Sequence, residues 1–240
     1  MTLAEAPLPS TWSGAAVDDV PGTLRVLSYN VRSLRDDPAA VASVIRAARP
    51  DVVCVQEAPR FLRWRSKCAA LARESGLVVV TGGRPAGAML LLAALRVRIR
   101  ATKDVKLRKH FRLHQRGLAI AEIEVGGIAY AVASMHLSLD DTERLAQADE
   151  VFAKLADQTA PLILAGDVNE TPAGPAWARL GDRLTDGGGG HTYSAKRPHK
   201  RIDAVFADPR LEFLSCDVPE APGIEVASDH RPLLAVVRPR

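Results

Sequence analysis

The chain has 240 residues, 47% of them apolar and 25% charged, with a formal net charge of +4. That composition excludes a disordered or collagen-like chain and predicts one domain with a substantial core. No apolar run approaches the ~20 residues of a bilayer span, and the first residues show neither the basic start nor the apolar stretch of a secretory signal.

Residues 1–22 read as a flexible leader and residues 23–240 as one folded unit. Cys54, Cys68 and Cys216 are widely spaced and form no metal pattern, which fits a reducing, cytoplasmic setting. In chain order, LRVLSYN (24–30) predicts a strand. Asp37 and Pro38 predict a helix start, with Val41, Val44, Ile45 and Ala48 on its buried face and Pro50 as its stop. DVVCVQ (51–56) predicts a strand buried on both faces. A helix is expected over 60–74 with Phe61, Leu62 and Leu71 inward and Gly76 ending it, then strands over 77–81 and 88–95. Gly126-Gly127 between 117–125 and 128–137 predicts an antiparallel hairpin. Asp140 and Glu143 form a capping-box signature for a helix over 141–157, with Leu145, Ala148, Phe152 and Leu155 inward. Further strands are expected over 161–166, 202–207 and 232–237, with DGGGG (186–190) as a loop. Mixed strands with scattered helices predict an α/β sandwich with helices outside.

The charge is uneven. Between Arg96 and Arg116 there are nine Lys or Arg and a single acid, Asp104, together with His110 and His114. Lys196, Arg197, His199, Lys200 and Arg201 form a second run. Such patches attract phosphates, although Arg outnumbers Lys 25 to 7 and part of the excess reads as solvated surface. Aromatic residues are 5% of the chain and few lie near the basic runs, so the sequence gives no platform for stacking single-stranded bases.

Several apolar strands run directly into a carboxylate, amide or imidazole. Asn30 ends LRVLSYN, Gln56-Glu57 ends DVVCVQE, His136 ends AYAVASMH, and Asp167 and Asn169 follow PLILAG. Asp203 opens IDAVFA, and Asp229-His230 precedes PLLAVV. Any one of these could be a turn or cap residue, but an ionised group beside a core must be paired, solvated or bound to metal. Oxygen donors with two histidines and no thiolate fit a hard cation such as Mg²⁺. Metal-assisted phosphate-ester hydrolysis suits that set.

At these residues the sequence resembles the endonuclease/exonuclease/phosphatase superfamily, the group of deoxyribonuclease I. The resemblance rests on LSYNVR (27–32), DVVCVQE (51–57), MHLS (135–138), LAGDVNETP (164–172), RIDAVF (201–206) and SDHRPLLAV (228–236), in the family's order. It implies a four-layer sandwich, two packed, mostly antiparallel mixed sheets flanked by helices. It implies Glu57 as the main metal ligand, with Asn30 and Asp229 in or beside the metal shell. Asp167 would orient or deprotonate the attacking water, and Asn169 would donate to a phosphate oxygen. His230, held by Asp203, would contact the scissile phosphate, and His136 would bind phosphate or protonate the leaving group. Apart from the resemblance, Arg32 follows Asn30 by two and is expected on the same side of an extended strand, where it would bind substrate phosphate or pair with a catalytic carboxylate. Members acting on abasic sites usually carry Asp where this chain has Arg32 and Tyr where it has His136, so both positions lean away from abasic-site repair.

The expected activity is a Mg²⁺-dependent phosphodiesterase of nuclease type, with Mn²⁺ as a substitute ion and a phosphate ester, nucleic acid included, as partner. The alternatives are a phosphomonoesterase acting on a small phosphorylated metabolite or inositol phosphate, and a non-catalytic polyanion binder.

Overall fold

A computed structural model describes residues 22–109 and 112–240. Most of the leader and His110 of the first basic run therefore lie outside the described residues. The elements are β1 (Leu24–Asn30), α1 (Pro38–Ala48), β2 (Val52–Gln56), α2 (Trp64–Glu74), β3 (Val78–Gly83), β4 (Met89–Ala93) and β5 (Arg98–Lys106). They continue with β6 (Gly117–Val125), β7 (Ile128–His136), α3 (Asp141–Lys154), β8 (Leu162–Asp167), α4 (Pro175–Gly181) and β9 (Thr185–Asp186). The chain ends through β10 (Asp203–Ala207), β11 (Leu211–Asp217), α5 (Ile224–Ala227) and β12 (Leu233–Pro239).

The strands form two six-stranded sheets, ordered β11-β12-β1-β2-β4-β3 and β5-β6-β7-β8-β10-β9. Each is antiparallel except for one parallel pair, β1 with β2 and β7 with β8. This is the four-layer sandwich expected. Side-chain alternation along the strands builds all its layers. Leu24 and Val26 of β1, Val52 and Cys54 of β2, Tyr130 and Val132 of β7 and Ile163 and Ala165 of β8 meet between the sheets. The residues between them face outward: Leu27, Tyr29, Val53 and Val55 pack under α1 and α2, while Ala131, Ala133, Met135 and Leu164 pack under α3 and α4.

Local chemistry explains the turns. Asp37 caps α1, its Oδ1 accepting the amides of Ala39 and Ala40 at 3.0 Å. Gly126 and Gly127, with φ of 59° and 83°, make the two-residue hairpin between Val125 and Ile128. Gly166 is needed for close approach, because a Cβ there would meet the Met135 carbonyl oxygen at 1.9 Å.

Four expectations need correction. The helix expected from residue 60 begins at Trp64, since Arg63 sits in the left-handed region (φ 57°) and a helix cannot run back through it. Phe61 and Leu62 are therefore not inward; they are 70% and 84% exposed. The helix expected over 141–157 ends at Lys154, and Glu143, Arg144 and Gln147 share its buried face with Ala148 and Val151, while Leu145 and Phe152 are half-buried. Asp140 does cap it, accepting the Glu143 amide at 2.9 Å. Asp186, expected in the glycine loop, belongs to the short strand β9 paired with β10. The first basic run supplies β5, a sheet-edge strand whose exposed charges hid its strand character.

Candidate active site

Strand parity assembles the site. Asn30 shares the inner face of β1 with Val26 and Leu24, two and three steps of two away. By the same count Gln56, His136, Asp167 and Asp203 are the inner-face residues at the ends of β2, β7, β8 and β10. The register aligns them: Asn30 lies beside Gln56, His136 beside Asp167, and Asp167 beside Asp203. The gap between the sheets is thus apolar through most of its depth and ionisable at one end. Gln56 and Ser134 form a polar floor there, joined at 3.3 Å.

Hydrogen bonds connect the group. Asn30 Nδ2 donates to Asp167 Oδ2 at 2.9 Å and to Glu57 Oε1 at 3.3 Å. Asp167 Oδ1 accepts the Asn169 amide at 2.9 Å. His230 Nδ1 meets Asp203 Oδ2 at 2.9 Å, and its Nε2 faces Asp167 Oδ2 at 3.7 Å. His136 Nε2 lies 3.3 Å from the same Asp167 oxygen and 2.9 Å from Asn169 Nδ2. Glu57 and Asn169 both leave their strands with positive φ, 51° and 57°. Such backbone is costly for non-glycine residues and turns both side chains toward the shared end.

Asp229 and Arg32 stand at the rim. Arg32 Nε pairs with Asp229 Oδ2 at 3.4 Å and Nη1 with Asp36 Oδ1 at 3.1 Å, and Arg32 is about half-exposed. Ser228 ties this rim to the centre by donating to the Asn30 carbonyl at 2.8 Å. Of the first basic run, Arg96 is paired with Asp51, Arg100 with Glu124 and Lys103 with Asp157, so these cations are already neutralised. In the second run, Arg201 is paired with Asp186 at 2.7 Å.

Arg116 is the residue the sequence undervalued. It is buried, Nη1 lies 2.9 Å from His136 Nδ1, and its Nε has no hydrogen-bond partner. It lines a cleft of about 230 Å³ with Glu57, His136, His114 and Arg60. Its position directly before the apolar run GLAIAEI repeats the strand-end signature of the other site residues.

The electrostatics follow from this packing. Burial pushes the Asp167 carboxyl up to about 7, and the neighbouring Asp203 charge adds to the effect. Burial alone would lower the His230 imidazole, but the charges of Asp203 and Asp167 and the Asp203 hydrogen bond overcome it and raise the group to about 10. His136 moves the other way: burial and then the Arg116 charge hold it well below the ordinary imidazole range. A neutral ring that accepts from Arg116 at Nδ1 carries its proton on Nε2, toward Asp167, so the 2.9 Å approach of Asn169 Nδ2 to that nitrogen brings two donors together and is not a hydrogen bond in this tautomer.

Asp167, Asp203 and His230 offer ligand atoms within 4.8 Å of one another, a group able to hold a cation. Glu57 stands outside that trio and reaches it through Asn30. While His230 is protonated against Asp203 it has no lone pair to give, so the ligands left for an ion are oxygens, those of Asp167, Glu57, Asn30 and Asp229, and the buried Asp203 Oδ1 has no partner. This donor chemistry fits a hard divalent ion.

A sequence model of the Endonuclease/Exonuclease/phosphatase family matches residues 27–230. The chain belongs to that family. Its members are metal-dependent phosphoric-ester hydrolases, which makes this protein a phosphoesterase by family. No curated protein matches the chain. Among solved structures, an endonuclease/exonuclease/phosphatase of Bacteroides vulgatus is similar at 18% identity and a TM-score of 0.75, covering 91% of this chain and 99% of its own. A mannosyl-6-phosphatase of Bacteroides thetaiotaomicron VPI-5482 is similar at 15% identity and a TM-score of 0.74, covering 89% and 99%. D. rerio TDP2, complexed with a single-strand DNA product, is similar at 18% identity and a TM-score of 0.72, covering 90% and 99%. At these identities the likeness is one of fold.

Proposed function

We propose that the protein is a Mg²⁺-dependent phosphodiesterase of nuclease type, with Mn²⁺ able to substitute, working in a reducing, cytoplasmic setting. The observation that carries this reading is the buried Asp203–His230 pair at 2.9 Å, set beside Asp167 and opening toward a cleft with Arg116. A carboxylate poised near neutrality, an imidazolium and a guanidinium around one space are the parts that hydrolysis of a phosphate anion requires.

Glu57 and Asn30 would hold the metal, with Asp229 beside them once its pairing with Arg32 is relaxed. When bound, the ion would neutralise phosphate charge and stabilise the leaving oxygen. Asp167, raised to about 7, takes the proton of the attacking water through a carboxylate steadied by Asn30 and the Asn169 amide. His230 stays protonated at neutral pH and presents Nε2–H to a phosphoryl oxygen while Asp203 fixes its ring. Asn169 Nδ2 and Arg116 donate to the other oxygens of the transition state. His136, neutral, carries its Nε2 proton beside Asp167 and within reach of the leaving oxygen. Arg32 at the rim would meet the substrate's charge before the cleft does.

The test is turnover of bis-p-nitrophenyl phosphate against p-nitrophenyl phosphate in Mg²⁺ and in EDTA. The reading requires Mg²⁺-dependent cleavage with the diester preferred. Preference for the monoester, with release of inorganic phosphate, would replace it with a phosphomonoesterase. Retention of polyanions without turnover would replace it with a binding protein.

A further inference from the structure

The cleft does not end at Arg116. It opens past Arg60, Phe61 and Gly87, which it shares with a second and larger groove of about 640 Å³. That groove is bordered by Arg60, Arg63, Arg84 and Lys106. None of these four is ion-paired with a described carboxylate, whereas the neighbouring cations Arg96, Arg100 and Lys103 all are. The fold has therefore gathered unneutralised positive charge from the α2 approach, the β3–β4 connection and the end of β5 into one channel continuous with the catalytic cleft. Contrary to the absence of a stacking platform expected from the sequence, the fold sets two aromatic rings beside these cations. Phe61, 70% exposed, lies under Arg60 at 5.3 Å, and Trp64 under Arg65 at 4.4 Å. An exposed ring beside unpaired cations offers a face to a base and charge to a phosphate. A concave channel leading from the cleft suits a threaded chain; an inserting membrane loop would be convex.

We propose that this groove holds the single-stranded nucleic-acid chain flanking the scissile phosphate, with phosphates on Arg63, Arg84 and Lys106 and a base on Phe61. The proposal rests on the phosphodiesterase reading of the cleft and names its substrate class. It makes the preferred substrate a polynucleotide, because a lone phosphorylated sugar would leave the groove empty.

The probes are a fluorescein-labelled twelve-nucleotide strand, as DNA and as RNA, followed by anisotropy in EDTA, and bis-p-nitrophenyl phosphate turnover in Mg²⁺. Arg84→Glu/Lys106→Glu, both at exposed positions, is expected to weaken strand binding at least ~10-fold and to lower the log–log salt slope by about 1.4, two contacts at about 0.7 each. Turnover of the small diester stays within about twofold. Phe61→Ala loses about 10-fold in strand affinity. Binding of either strand in this pattern supports the groove, the tighter one naming the sugar. Equal binding by wild type and the double variant overturns it. So does tighter binding to vesicles of phosphatidylcholine and phosphatidylserine than to either strand, lost in Leu62→Asp. Absence of diester turnover in the wild type would remove the reading of the cleft, while anisotropy, which needs no turnover, still decides the groove.

Discussion

Asp203→Asn isolates the part of the site that charges His230. The wild-type imidazole is held at about 10, against 6.5 for a free histidine, and that difference is worth on the order of 5 kcal/mol net of burial. Asp203 supplies the largest favourable share, both as a charge and as the hydrogen-bond partner of Nδ1 at 2.9 Å. With the charge gone, burial competes with Asp167 and Asp229 alone, and the imidazole returns to roughly 6.5 or lower. At pH 8 only about 3% of the rings would then be cationic, a loss of about 30-fold, and loosened ring orientation adds roughly another 10-fold. At pH 6 most of the protonation loss disappears. The expected result is a kcat deficit of about 10²–10³ at pH 8 that shrinks to about 10-fold at pH 6. The assay is bis-p-nitrophenyl phosphate turnover at both values, with the imidazole proton followed by NMR in the same variant. An imidazole still titrating near 10, or a deficit equal at the two pH values, would refute the reasoning.

Glu57→Gln and Asp167→Asn should each lower turnover at least ~10²-fold with unchanged circular dichroism, and EDTA should abolish activity that Mg²⁺ or Mn²⁺ restores. Arg116→Ala should cost about 10²–10³ in kcat and raise the His136 pKa, since a buried neighbouring cation is removed, and Arg116→Lys should recover little, the pairing being directional. The wild-type alkaline limb should fall near pH 10, where His230 loses its proton. The stability that His230 gains from its partners follows the same sign: complete below 6.5, lost as pH rises through about 10, and measurable as a decline in melting temperature. Arg144→Ala should destabilise the fold by roughly 3–5 kcal/mol, because this buried arginine ties Glu170 to the carbonyls of Ser138 and Leu139 and so joins the loops after His136 and Asn169.

What the sequence revealed follows from how each signal is encoded. A polar residue at the end of a short apolar strand is a local signal, and it singles out Asn30, His136, Asp167 and Asp203 in the sequence; that they share the inner face of β1, β7, β8 and β10 is what the structure adds. The Gly-Gly hairpin and the Asp37 and Asp140 caps are local chemistry and were equally legible. β5 was not, because an exposed edge strand carries charges where a buried one carries Val or Ile. Phe61 and Leu62 misled because helical spacing counts apolar residues without knowing that Arg63 breaks the helix behind them. Arg116 lay inside a basic run in which Arg96, Arg98, Arg100 and Lys103 end in surface ion pairs; only tertiary structure separates the buried cation beside His136 from the rest. The groove at Arg63, Arg84 and Lys106 is invisible in sequence for the same reason, since its charges come from three separate segments.

The most direct measurement is the initial rate of bis-p-nitrophenyl phosphate cleavage by wild type, Asp167→Asn and His230→Ala across a Mg²⁺ titration. Saturable, Mg²⁺-dependent turnover in the wild type, reduced at least ~10²-fold in both variants at every Mg²⁺ concentration, is the predicted result. Wild-type turnover indifferent to Mg²⁺, or folded variants cleaving at the wild-type rate, would contradict the assignment of this cleft.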